Sequence, residues 1–157
     1  MTNAVMTTQQ LKQYALFSLL SDDEAEILAP LFKAVNFAAG TTFINQDEIS
    51  HNLYLIVSGI AEVRLPLIGP RGTTSVAKFG PGECVGELSL ARIARRAASA
   101  LAEVDCQCFV VETQKLIDVF EKHPKIGYEV YRKLASIITD RLVATNMMLR
   151  NSESHQA

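Results

Sequence analysis

Apolar positions in this chain change period twice, and the changes divide it into three stretches. From Leu11 to Lys33, Leu16, Leu19, Leu20, Ile27, Leu28, Leu31 and Phe32 recur at helical spacing, with a break at Ser21. Two short helices are expected over 11–33. Ser21, followed by Asp22, Asp23 and Glu24, fits a capping box that sets carboxylates at the positive end of the second helix. From 34 to 112 the runs shorten to VNF, TTFI, LYLIV, AEVRL, TSVAKF, ASALAEV and CFVV, separated by Gly40, Gly59, Gly72, Gly80 and Gly82. That is the rhythm of β-strands joined by tight turns, as in a closed barrel or jelly roll, and no helix long enough for a crossover unit fits between them. Over 113–150 the helical period returns. KLIDVFEKH predicts one helix, and Pro124 opens another in which Ile126, Val130, Leu134, Ile138, Leu142, Thr145 and Leu149 form one stripe. The polar tail NSESHQA is expected to fray.

Composition narrows the picture. A chain of 157 residues, 48% hydrophobic and 20% charged, is about one domain long and able to bury its own core. A net charge of −2 supplies no global attraction for nucleic acid or an anionic membrane, so any anion site must be local. No signal peptide or apolar run of transmembrane length is evident, and the chain reads as soluble and cytoplasmic. Three cysteines, Cys84, Cys106 and Cys108, offer no metal-binding spacing and read as reduced, buried thiols, the last two on one strand face.

One segment breaks the strand rhythm: residues 79–100, FGPGECVGELSLARIARRAASA. Gly80, Gly82 and Gly86 allow close approach of backbone to a ligand, and Glu87 to Ala91 is long enough for one helical turn. Arg92, Arg95 and Arg96 follow. Backbone N–H groups, a guanidinium and a carboxylate within ten residues are what a phosphate attached to a sugar hydroxyl requires. The glycine spacing does not fit a dinucleotide-binding fingerprint, and no Gly-Lys-Ser/Thr of a P-loop occurs. The plain alternative is a surface turn with solvated arginines.

This segment resembles the phosphate-binding cassette of the cyclic-nucleotide-binding domain family in Gly86, Glu87, Leu88, Ser89 and Leu90, then Arg96, Ala97, Ala98 and Ser99. The likeness extends to the opening strands (Gly40, Leu53–Val57, Ser58, Gly59, Val63) and to the flanking helices, over roughly 11–145. Two positions depart from the family pattern: Asp47 replaces a common glycine, and Arg95 replaces a proline of kinase-type members. The resemblance implies a mainly β (α+β) fold, a double-stranded β-helix jelly-roll barrel with an N-terminal helical segment and a long C-terminal helix, in one domain over 1–157.

It further implies that Glu87 accepts from the ribose 2′-hydroxyl and Arg96 pairs with the cyclic phosphate, with Gly86, Leu88, Ser89, Ala97 and Ala98 completing the ligand site. The alternative without ligand is an internal Glu87–Arg96 ion pair, and Arg92 is expected to face solvent. Members preferring cyclic GMP often carry threonine after the cassette arginine. Ala97 has no hydroxyl, so cyclic AMP is the expected ligand and cyclic GMP the second choice. The C-terminal helix is expected to act as lid, with Arg141 or Thr145 capping the base, and to pair with a second copy in a homodimer; the alternative folds its stripe back on the barrel.

No catalytic residues, metal or cofactor are expected. His51, His123 and His155 do not form the ligand set of a barrel metalloenzyme, and the cysteines do not form that of a haem or iron–sulfur sensor. A ligand-free interaction module is the remaining alternative. Bacterial relatives carry a helix-turn-helix after the long helix; eight residues follow Leu149 here, so direct DNA binding is not expected and the downstream effector is another, unidentified protein.

Overall fold

The computed structural model of the chain describes residues 4–49, 51–69, 71–92 and 95–155; Ile93 and Ala94, within the 79–100 segment, and the last two tail residues lie outside them. Two short helices, α1 (Thr8–Lys12) and α2 (Asp22–Leu28), with single 3₁₀ turns at Ala15–Phe17 and Ala29–Leu31, precede the first strand. Both helices open on capping boxes. Ser21 Oγ accepts from Glu24 N while Glu24 Oε1 accepts from Ser21 N, as the sequence predicts, and Thr7 and Gln10 do the same for α1. That second box starts the helical segment earlier than the apolar pattern alone suggests.

Among the described residues eight strands follow: β1 (Lys33–Phe37), β2 (Thr42–Ile44), β3 (Asn52–Ser58), β4 (Ala61–Pro66), β5 (Thr73–Phe79), β6 (Cys84–Val85), β7 (Ser99–Ala102) and β8 (Cys106–Glu112). They form two four-stranded antiparallel sheets, β1-β8-β3-β6 and β2-β7-β4-β5. This is the jelly-roll architecture expected from the strand rhythm.

The continuous apolar run of β3 has a physical reason, because both faces of its sheet are covered. Leu53 and Leu55, with Phe109 and Val111 of β8, face the helices and join Leu11, Leu16, Phe17 and Leu28 in one core. Tyr54 and Ile56, with Cys106 and Cys108, point the other way into the barrel and meet Ile44, Val85, Ala100 and Ala102. The two neighbouring cysteines thus share the inner face, and all three thiols are free and buried.

Between β6 and β7 sits α3 (Leu88–Ala91), and after β8 come α4 (Thr113–Lys122) and α5 (Pro124–Ser154). Tyr131 of α5 donates to the Leu90 carbonyl at 2.7 Å and packs edge-on to Phe120, tying α5 to α3 and α4. At 31 residues, α5 extends through most of the tail expected to fray. Its length is about 46 Å at 1.5 Å per residue. Ile126, Val130 and Leu134 are buried, whereas Leu142 and Leu149 are each 59% exposed, so the distal stripe does not fold back on the barrel. Among the described residues, no helix is long and apolar enough to cross a membrane, and no group of three or more His, Cys, Asp or Glu is placed to hold a metal.

Candidate functional site

A cavity of about 300 Å³ opens between the β2-β7-β4-β5 sheet, the α3 turn and α5. That lies at the lower end of the range of small-molecule sites. All seven residues expected to bind ligand, Gly86, Glu87, Leu88, Ser89, Arg96, Ala97 and Ala98, are on its wall. Ile44, Val63, Ala77, Phe79, Val85 and Ala100 give it an apolar side.

Gly86 is the pivot. Its φ of +91° belongs to glycine, and a Cβ there would lie 2.6 Å from the Asn52 carbonyl oxygen and 3.2 Å from Arg96 Nη1. The closeness serves Arg96, whose Nη1 donates to the Gly86 carbonyl at 3.2 Å and whose Nη2 donates to the Asn52 carbonyl at 2.7 Å. The Arg96 backbone is fixed by the strand linker before β3: its N–H donates to Glu48 O and its carbonyl accepts from Asp47 N, both at 2.9 Å. Asp47 takes a φ of +65°, the left-handed conformation for which the family more often supplies glycine. The Arg95 side chain, exposed and also on the cavity wall, donates to the Asp47 carbonyl at 3.1 Å and so braces the same linker. Burial pushes the Arg96 guanidinium below its ordinary range, a penalty that an anion beside it would offset.

The α3 turn is closed on itself. Ser89 and Leu90 donate their N–H groups to the Gly86 and Glu87 carbonyls at 3.3 and 3.0 Å. The Ser89 hydroxyl donates to the Gly86 carbonyl and meets Thr113 Oγ1, each at 2.7 Å. Thr113, at the start of α4 and completely buried, was not among the expected site residues; a lone threonine after a strand carries no periodic signal.

Glu87 is 3% exposed, and its ion pair is with Arg141 of α5, not with Arg96 as the ligand-free alternative had it. Arg141 Nη1 donates to Glu87 Oε1, and the guanidinium lies 4.8 Å above the centre of the Phe79 ring. The structure therefore brings Arg141 into the cavity but directs it at Glu87 and Phe79. Thr145, one turn further along α5, is exposed, lies off the cavity wall and donates its hydroxyl to the Arg141 carbonyl at 2.9 Å. Arg92 is exposed, as expected, yet also lines the cavity.

A family model described as "Cyclic nucleotide-binding domain" matches residues 34–123, which span the barrel and α4. Glutaminase 2 of Bradyrhizobium diazoefficiens is 28% identical over 142 residues, covering 90% of this chain and 22% of that protein. The cyclic AMP receptor protein of Thermus thermophilus is 26% identical over 139 residues, covering 88% of this chain and 62% of its own length. This chain thus spans less than two thirds of either relative. Among solved structures, a cyclic nucleotide-binding domain from Methylobacillus flagellatus superposes with a TM-score of 0.79 at 19% identity, covering 91% of this chain and 84% of the other, a likeness of fold.

Proposed function

Because the chain belongs to the cyclic nucleotide-binding domain family, a family with a regulatory role, we propose that the cavity beside α3 holds one cyclic nucleotide, with cyclic AMP preferred. The observation that carries this is the convergence of Gly86, Glu87 and Arg96 on one wall of that cavity. Arg96 pairs with the cyclic phosphate. Its guanidinium is already oriented by two carbonyls, so little side-chain freedom is lost on binding. Glu87 accepts from the ribose 2′-hydroxyl through Oε2, to which no described residue donates. Leu88, Ser89, Ala97 and Ala98 close around the sugar and phosphate, and the apolar side formed by Ile44, Val63, Ala77 and Phe79 receives the purine.

Cyclic AMP is favoured over cyclic GMP because Ala97 has no hydroxyl to meet a guanine amino group. The cyclic AMP receptor protein among the relatives supports the same choice. Calorimetric titration with cyclic AMP, cyclic GMP and a cyclic dinucleotide tests the reading: cyclic AMP is expected to bind most tightly. Equal binding of the two mononucleotides would remove the base preference, and binding of neither would remove the function.

The signal leaves through α5. Leu142, Val143, Met147, Met148 and Leu149 are exposed on the distal half, and Leu142 and Leu149, one heptad apart, share a face that continues the stripe of Leu134 and Ile138. A parallel α5 from a second copy covers that surface, giving a homodimer in which a change at the cavity is transmitted along the paired helices to an effector protein. The chain works in the cytoplasm and carries no catalytic group of its own in this domain.

A further inference from the structure

Four of the chain's eight arginines, Arg92, Arg95, Arg96 and Arg141, line the cavity beside α3, against a single carboxylate, that of Glu87. The chain as a whole runs the other way, with a net charge of −2. Glu87 and Arg141 neutralise each other, and Arg96 is half-buried and oriented by the Gly86 and Asn52 carbonyls. Outside the wall, Glu48 is close enough for its charge to favour the Arg96 guanidinium, and its carboxylate accepts from the Asn45 amide at 3.2 Å. Arg92 and Arg95 are left over. Both are exposed, and among the described residues neither forms an ion pair with a carboxylate.

Their place on the cavity wall separates these two arginines from ordinary solvated surface. Taken as a sphere, a cavity of about 300 Å³ is roughly 8 Å across, about one Debye length at physiological ionic strength. An anion anywhere in its mouth therefore feels both charges before counter-ions screen them. Water and salt weaken the finished contact of an exposed charge, so such groups add little to the bound state. Their effect falls on the encounter. Charges at a rim alter the association rate and its salt dependence, whereas loss of a buried charged partner alters dissociation.

We propose that Arg92 and Arg95 form a cationic mouth that captures the anionic nucleotide and sets its association rate, while Arg96 inside the cavity retains it. Burial divides the two tasks, since the exposed pair acts at a distance and the half-buried guanidinium acts by contact. In an acidic chain this local field is what offsets the overall repulsion of an anion. The proposal rests on the cyclic-nucleotide reading of the cavity and goes further, because it gives a kinetic role to two arginines that the bound state does not need.

Stopped-flow mixing of the full chain with fluorophore-labelled cyclic AMP, displaced afterwards by unlabelled cyclic AMP, gives both rate constants. At an ionic strength on the order of 0.01 M, Arg92→Gln/Arg95→Gln is expected to associate about three- to tenfold more slowly than the parent and to dissociate at the parent's rate. The difference is expected to vanish towards about 1 M salt, where the Debye length shrinks to about 3 Å. Arg92→Lys/Arg95→Lys, which keeps the charge, is expected to associate like the parent, and Arg96→Ala to show its loss mainly as faster dissociation. A glutamine variant that associates as fast and with the same salt dependence as the parent, or a slow association that the lysine variant shares, would overturn the cationic mouth while leaving nucleotide binding intact. A parent chain that binds no cyclic nucleotide would instead overturn the reading on which the mouth stands.

Discussion

Gly86 and the Asn52 carbonyl oxygen stand so close that a Cβ on residue 86 would be 2.6 Å from that oxygen. Two demands coincide at this point, a φ of +91° and contact between the α3 turn and the start of β3, and both serve to hold Arg96. Gly86→Ala is therefore expected to lose about 1–3 kcal/mol of stability through backbone strain. It should also weaken cyclic AMP binding, because Arg96 must shift. Urea denaturation together with calorimetry checks both; a variant as stable as the parent would show that the turn relaxes freely.

The buried thiols set an alkaline limit on stability. Burial pushes Cys84 from its ordinary 9.0 up to about 11 and Cys108 up to about 12, and it pushes Tyr14, whose hydroxyl donates to the Ile56 carbonyl, from 10.0 up to about 12. Above pH 9 the unfolded chain releases protons that the folded chain retains, so the stabilisation present below pH 9 is lost as pH rises towards 12. Urea midpoints should fall between about pH 8 and pH 10.5, and less steeply in a Cys84→Ala/Cys108→Ala chain. A flat profile in the parent would contradict this.

The exposed stripe of α5 predicts self-association. Leu142, 59% exposed, is its first residue, and a carboxylate there opposite its own copy in a parallel pair would face like charge across the seam. Sedimentation of the parent should give a dimer and that of Leu142→Asp a monomer with unchanged thermal unfolding at low concentration. A monomeric parent would refute the contact.

Much of this was legible in the residues because several levels of pattern agree. Strand periodicity, turn glycines and the return of the helical period mark the barrel and its flanking helices, and the Gly86–Ser89 and Arg96–Ala98 runs mark the cavity wall. The left-handed backbone of Asp47 agrees with the resemblance, which puts a glycine there, and Asp tolerates that conformation better than most residues. What could not be foreseen depends on distance in the fold. The Arg141–Glu87 pair joins residues 54 positions apart, and Thr113 meets Ser89 across 24, so no local pattern announces either. The two-residue strand β6 is too short to show a period, and the α1 capping box, present in Thr7 and Gln10, lies before the first apolar repeat.

The most direct test of the central claim is a calorimetric titration of cyclic AMP into the parent, Arg96→Ala and Arg95→Ala. A charge-assisted hydrogen bond contributes about 1.5–3 kcal/mol, so Arg96→Ala should bind roughly ten- to a hundredfold more weakly. Arg95, which is also on the cavity wall but is exposed and donates to the Asp47 carbonyl, should matter far less. One ligand per chain with that order of affinities is the predicted result; no binding by the parent, or undiminished binding by Arg96→Ala, would contradict it.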